Sequence, residues 1–295
     1  MGLGPAVALG CALSWAIALV MWRKAGDEIP ALILNAFKNG LSLLLLIPTL
    51  YWVEGKLWID ISTSDLLLLL ASGAVGVGIS DGLYLWSLKL IGASRLAIID
   101  CVYSPTIIFL SFFFLGENLT LFQLLGTGLV VLAVYLINSK DQTLSVESKN
   151  KLFKGGCAAI TAIVSMAVGI LIVKPVFQRV PLFSIITLRL LGGTVFSVIA
   201  LLLTPEKLGG LRLIFNAPRR NLIFAASFVG TYISMVMWVA GFKYNDASIA
   251  AVLNQTTTFF TVILAAFFLK EPLTKRKIAA TLTATAGVLL ITFGK

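Results

Sequence analysis

Apolar residues run through this chain in long unbroken stretches, parted by short polar segments. Stretches of bilayer-crossing length are read at Leu3 to Met21, Pro30 to Val53, Leu66 to Leu88, Ala93 to Leu115 and Leu121 to Ile137. Five more follow at Gly155 to Val173, Leu182 to Leu203, Leu222 to Phe242, Ala247 to Leu269 and Ile278 to Phe293. In lipid the backbone must satisfy its own N–H and C=O groups, and runs of this length without period-two alternation do so as helices. The predicted fold class is an all-α membrane protein with ten transmembrane helices. The first apolar run starts directly after Met1, with no basic segment or cleavage site before it, and is read as a retained span.

One polar stretch, Ser139 to Lys151, has linker character and lies near the middle of the chain. The domain reading is therefore a first five-helix repeat over residues 1–138, a polar linker over 139–153 and a second five-helix repeat over 154–295. Setting Gly76 to Ile137 against Gly230 to Ile291 supports a duplication. Ala93-Ser94 then meets Ala247-Ser248, and the run Phe113 to Thr120 meets Phe267 to Thr274, with Glu117 on Glu271. Shared apolar character alone would not align those glutamates. Nearer the start of each half, Ser14 falls on Ser165, Ala16 on Ala167, Pro30 on Pro181 and Lys38 on Arg189. Five is an odd number of crossings, so the second copy is expected upside down, an inverted repeat with a mirror-related gate at each surface and hence alternating access.

Composition sharpens this picture. Of 295 residues, 59% are hydrophobic and 12% charged, which excludes a soluble core-and-surface domain. The net charge of +10 sits mostly between apolar runs, beside lipid headgroups, so no nucleic-acid partner is expected. Histidine is absent, which removes the usual proton shuttle, metal ligand and hydrolase base together. No G-x-x-x-x-G-K-[ST] loop occurs, so ATP is not the direct energy source. Neither a cofactor nor a metal is expected, and the chain is read as no enzyme. Cys11, Cys101 and Cys157 lie in apolar runs and are read as packed thiols.

Candidate chemistry comes from residues that are costly in lipid. An ionised side chain at a helix centre costs roughly 2.5–3.5 kcal/mol on insertion scales. Away from their ends the spans hold four, Lys38, Asp81, Asp100 and Arg189. Asp81 or Asp100 can pair with Lys38, and the plain alternative is a fixed ion pair that only locks helices together. Helical spacing puts Asp81 with Tyr84, Asp100 with Tyr103 and Ser104, and Asn254 with Thr257 and Thr258 on single faces. Trp15, Tyr84, Trp86, Tyr103 and Trp238 could wall a pocket, with cation–π attraction for an ammonium. The substrate-binding candidates are therefore Trp15, Lys38, Asp81, Tyr84, Trp86, Asp100, Tyr103, Arg189, Trp238, Asn254 and Thr258, with Asp81 and Asp100 as proton-coupling candidates. Ala74, Gly78 and Gly82, like Ala279, Thr283 and Gly287, read as packing faces. Pro105 is expected to bend the fourth span, and its repeat partner Phe259 leaves that bend one-sided.

Ser14-Trp15, Lys38 and Arg189, Pro105, and the Leu115-Gly116-Glu117 and Leu269-Lys270-Glu271 signatures together resemble the ten-span EamA-type branch of the drug/metabolite transporter superfamily. The resemblance covers almost the whole chain. It implies a proton-linked or exchange carrier, with a central cavity lined by spans one, three, four, six, eight and nine, and spans five and ten peripheral. Asp81 and Asp100 lie outside that family pattern, and Lys38 stands where arginine is commoner. Pro105, Glu117 and Glu271 are read as structural, the glutamates favouring helix N-termini.

The function expected is secondary active transport of a small organic metabolite, amino-acid-like or amine-bearing, in a multi-pass protein of the plasma (inner) membrane. Its partners are that substrate, membrane lipid and a coupling ion or counter-substrate. A passive channel is the alternative, followed by an intramembrane aspartyl protease using Asp81 and Asp100, which lacks its G-x-G-D element here. The positive-inside rule places the linker in the cytoplasm, whereas the resemblance implies cytoplasmic termini.

Overall fold

The structure, a computed structural model, describes residues 3–26, 29–55, 61–115, 120–138, 146–205, 208–244 and 253–293. The described residues contain helices and no strand. The long helices are α1 (Leu3–Ala25), α2 (Ala31–Glu54), α3 (Thr63–Ile91), α4 (Ala93–Asp100 continued by Tyr103–Leu115) and α5 (Leu121–Asn138). After them come α6 (Val146–Ile172), α7 (Leu182–Leu202), α8 (Arg220–Tyr244), α9 (Leu253–Phe268) and α10 (Lys275–Phe293). Seven helices among the described residues are long and apolar enough to cross a membrane. Leu121–Ile137 and Leu253–Phe268 are shorter apolar helices, and α10 opens on the three cations Lys275, Arg276 and Lys277. Large side chains such as Leu44, Phe109, Leu125, Ile199 and Leu282 remain exposed around the bundle, as lipid permits and water would not.

The polar stretch at mid-chain is shorter than its composition predicts. Helix α6 starts at Val146, because Glu147 and Lys151 stand one turn apart and pair at 2.6 Å, and this charged turn extends an apolar helix beyond the lipid.

Helix neighbours follow the duplication. α1 lies against α8 and α9, and α6 lies against the corresponding α3 and α4. α3 packs on α7 as α8 packs on α2, while α2 with α7, α4 with α9 and α5 with α10 pair each helix with its own counterpart. A π-helical turn over Ala74–Ile79 in α3 recurs over Phe228–Ile233 in α8, at the aligned position of the second copy. The prolines Pro30 and Pro181 precede the first turns of α2 and α7, where a missing N–H costs nothing.

Close approach of α3, α6 and α7 depends on glycine. A Cβ on Gly73 would lie 1.8 Å from the Arg189 carbonyl oxygen, and one on Gly192 would lie 2.1 Å from that of Leu70. Gly169 and Gly76 face each other across α6 and α3 in the same way. Gly126 and Gly287 allow the contact of α5 with α10, where the sequence expects a packing face. Gly78 packs against Phe196, where a Cβ would lie at 2.7 Å, and Gly82 stands near Asn35, so the tightest contact in α3 is that of Gly73 against backbone.

Glu117 lies outside the described residues. Glu271 does cap a helix, but the helix is α4 and not the α10 it precedes. Its carboxylate accepts the Ala93 N–H at 3.0 Å and the Ser94 N–H at 3.3 Å, and pairs with Lys277 at 3.1 Å. Gly92, at φ +80°, turns the chain so that these two amides face the carboxylate. Burial opposes the charge on Glu271, yet the Ser94, Lys277 and Ala93 contacts outweigh it and hold the carboxyl below its ordinary pKa.

Gly73→Ala is expected to cost about 1–3 kcal/mol through overpacking against backbone, whereas Gly128→Ala, which meets nothing within 4 Å, stays within about 1 kcal/mol. Equal melting temperatures for the two variants in detergent would contradict this packing. Glu271→Gln is expected to cost about 1 kcal/mol through loss of the charged cap. Because the folded-state pKa is depressed, that contribution is present above the unfolded value of about 4.3 and fades as pH falls through the folded one. The stability gap between native and variant protein, followed by thermal unfolding, should therefore close in acid and stay constant at neutral pH.

Candidate functional site

The π-turn of α3 frees backbone carbonyls inside the bundle, and a polar chain from α2 answers them. Asn35 donates to the Gly78 carbonyl at 2.9 Å and to the Ser197 hydroxyl at 3.1 Å, while its own oxygen accepts from Asn39 at 3.2 Å. Asn39 in turn accepts from Lys38 at 2.8 Å, and Lys38 pairs with Asp81 at 2.5 Å in full burial. Asp81 is thus neutralised within its own half of the chain, with Lys38 lying 5.8 Å from the Trp22 ring centre.

α4 is interrupted at Cys101 and Val102, and α9, described from Leu253, at the aligned position Thr256. In α4 the Cys101 N–H reaches Ile98 and the Val102 N–H reaches Ile99, contacts one residue shorter than those of an α-helix. Pro105 explains this break, since it lacks an N–H and its ring crowds the Cys101 carbonyl. In α9 the Thr256 N–H reaches Leu253 in the same manner without any proline. The interruption is therefore two-sided, contrary to the expectation from Pro105 alone. Side chains at the break in α9 satisfy carbonyls at the break in α4. Thr258 donates to the Ala97 carbonyl at 2.9 Å, and the Gln255 amide donates to the Asp100 carbonyl at 3.3 Å.

Between these breaks and the π-turns lies a cavity of about 80 Å³. It is lined by Trp15 of α1, Asp81 and Tyr84 of α3, Asp100 and Tyr103 of α4, Met166 of α6, Trp238 of α8 and Asn254 of α9. Trp15 meets Trp22 edge to face and Tyr84 at a tilt, with ring centres at 5.7 and 6.0 Å. The Tyr84 and Tyr103 hydroxyls, both ends of the Asn254 amide and the Gln255 oxygen are buried without a hydrogen-bond partner. No hydrogen bond or ion pair reaches the Asp100 carboxylate from the described residues. Buried polar atoms are ordinarily satisfied, so this density of open donors and acceptors marks a place for water or solute.

Seven of the sequence candidates line the cavity: Trp15, Asp81, Tyr84, Asp100, Tyr103, Trp238 and Asn254. Four do not. Lys38 stands behind Asp81. Arg189 donates to the Ser72 hydroxyl and, at 3.1 Å, to the Gly169 carbonyl, with its guanidinium 5.6 Å from the Trp238 ring centre. Thr258 is spent on Ala97, and Thr257 beside it reaches the cavity instead. Trp86 is 43% exposed on the outer surface. Gly76, Gly230, Ser234 and Met235 line the cavity and were not singled out from the sequence as binding residues, and Cys11, read as a packed thiol, lines it too. The aligned pairs Gly76 with Gly230 and Asp81 with Met235 carried a signal for three of these positions, since two copies place equivalent residues around one centre. Cys11 and Cys101 are packed as expected, but Cys157 is exposed, because its face of α6 opens on a second hollow. Asp81 bonds to Lys38 and shares no proton with Asp100, which disfavours the acid dyad of a protease. Among the described residues no cluster of acidic and Cys groups is able to hold a metal.

The sequence profile of the EamA-like transporter family matches residues 2–139 and again 153–293. The chain belongs to the EamA-like transporter family. It is 24% identical over 288 residues to an uncharacterized transporter of Archaeoglobus fulgidus, covering 97% of this chain and 96% of that protein. A crystal structure superposes on this EamA-like transporter with a TM-score of 0.72 at 16% identity, covering 98% of this chain and 95% of the other, which shows a shared fold. The chain is thus a multi-pass integral membrane transporter, and membership of the drug/metabolite transporter superfamily comes with the family.

If Lys38 and Asp81 neutralise each other, removing one is worse than removing both. Lys38→Met is expected to destabilise by about 3–5 kcal/mol, and Lys38→Met with Asp81→Leu to recover most of that loss. Chemical unfolding in detergent measures both, and a double variant no better than the single would show that the ions are not paired.

Proposed function

We propose that this protein is a secondary active transporter of small amine-bearing organic solutes, amino acids included, working by alternating access in the plasma membrane. The observation that carries the reading is the Asp100 carboxylate, which no described residue pairs, at a cavity walled by Trp15, Tyr84, Tyr103 and Trp238. A carboxylate with aromatic faces suits an ammonium group, and the open Asn254 amide and Gln255 oxygen suit the remaining polar atoms of such a solute. The same carboxylate is the better candidate for a coupling proton, since Asp81 is held by Lys38. At about 80 Å³ the cavity holds a few waters and excludes a drug-sized ligand, so loading requires the bundle to open.

Ten crossings as two inverted five-helix repeats are the arrangement we infer. Support comes from the recurrence of the π-turn and of the broken helix, and from helix neighbours that persist when the two halves are exchanged. The ends of α1, α3 and α5 meet the starts of α4, α6 and α10 in one place, as alternating crossings require. Discontinuous helices at the centre suit solute or ion binding, because their unpaired backbone groups lie at the site.

Asp100→Asn is expected to lower proton-gradient-driven uptake of a labelled amine into proteoliposomes by about tenfold or more, the scale of a lost charged contact. Unchanged coupled uptake would remove Asp100 from the mechanism. Flux in the native protein that ignores the gradient would make it a passive channel.

A further inference from the structure

A second hollow of about 840 Å³ opens where α1 and α5 end and where α6 and α10 begin. Its wall holds Arg23, Arg95, Lys149, Arg276 and Lys277 with one carboxylate, Glu271. That carboxylate is already engaged by the Ala93 and Ser94 amides and by Lys277, and neither Arg95 nor Lys149 forms an ion pair with a described residue, so these two positive charges face the hollow unmatched among the described residues. The Arg95 Nε–H is buried without a hydrogen-bond partner. A buried guanidinium N–H strongly favours an anionic oxygen as acceptor, and phosphate geometry matches the guanidinium fork.

The hollow also has an apolar side. Lys149, Phe153 and Ile160 lie on one stripe of α6, four and then seven residues apart, and all three line it. Phe153 is 73% and Ile160 is 40% exposed, so the stripe passes from a cation at the end of the helix to bare apolar surface some three turns deeper. A free anion would use only the cationic wall, whereas an anionic lipid uses both, headgroup first and acyl chain below. We propose that this hollow binds the phosphate headgroup of an anionic phospholipid, with an acyl chain lying along Phe153 and Ile160. The site is separate from the central cavity and does not depend on what that cavity carries.

Native mass spectrometry of the detergent-purified full chain, titrated with phosphatidylglycerol or phosphatidylcholine, tests this. The native protein should retain phosphatidylglycerol preferentially, and Arg95→Gln with Lys149→Gln should weaken that retention by about fivefold for each charge removed, on the scale of a cation at a membrane surface. Phosphatidylcholine retention should not change. Lys149→Gln alone, at the polar end of α6, should show the single-charge effect even if the Arg95 change impairs folding, and Arg95→Lys should keep most of the preference. Equal retention of the two lipids, or variants that retain phosphatidylglycerol like the native chain, would overturn the proposal. So would full displacement of the lipid by millimolar inorganic phosphate, which would make the hollow a site for free anions.

Discussion

A polar group that water cannot reach has to be answered by another group of the chain, and in a lipid-embedded bundle every departure from the α-helix creates such groups. The π-turn of α3 and the breaks in α4 and α9 each release carbonyls into the interior. Asn35 answers the first, and Thr258 and Gln255 of one break answer Ala97 and Asp100 of the other. These bonds join the centre of the protein into one network, in which the irregular turns of α3 and α4 are satisfied by side chains of α2 and α9.

What the network leaves unanswered defines the cavity. Asp81 is matched by Lys38, whereas the Asp100 carboxylate, the two tyrosine hydroxyls and the Asn254 amide face the void. The two halves are therefore alike in backbone and unlike in charge. Asp81 aligns with Met235 and Asp100 with Asn254, so the carboxylates come from one copy alone. Two halves of like backbone thus surround a cavity whose charge is asymmetric.

Glycine governs how closely the scaffold draws together. At Gly73, Gly169 and Gly192 the backbones of α3, α6 and α7 meet at distances that no side chain allows. This contact brings Arg189 to Ser72 and Gly169 and away from the cavity. The guanidinium, aligned with Lys38 in sequence, consequently binds across to the first half, while Lys38 stays within its own.

Helical spans, the mid-chain division and the costly intramembrane residues were legible in the sequence, because lipid imposes long apolar runs and makes each charge conspicuous. Seven of the eleven binding candidates reach the cavity for that reason. Which charges pair was not legible: Lys38 had two acids within its half, and only the packing of α2 on α3 selects Asp81. Nor was the break in α9, where no proline announces it, or the outward placement of Trp86, since a tryptophan in an apolar span looks the same whether it faces lipid or a site. Sequence determined which groups must be hidden from lipid, through the transfer cost of each residue taken singly. Tertiary structure decided which of them satisfy one another and which are left open, because hydrogen bonds and ion pairs act over a few ångströms between residues that the chain holds far apart.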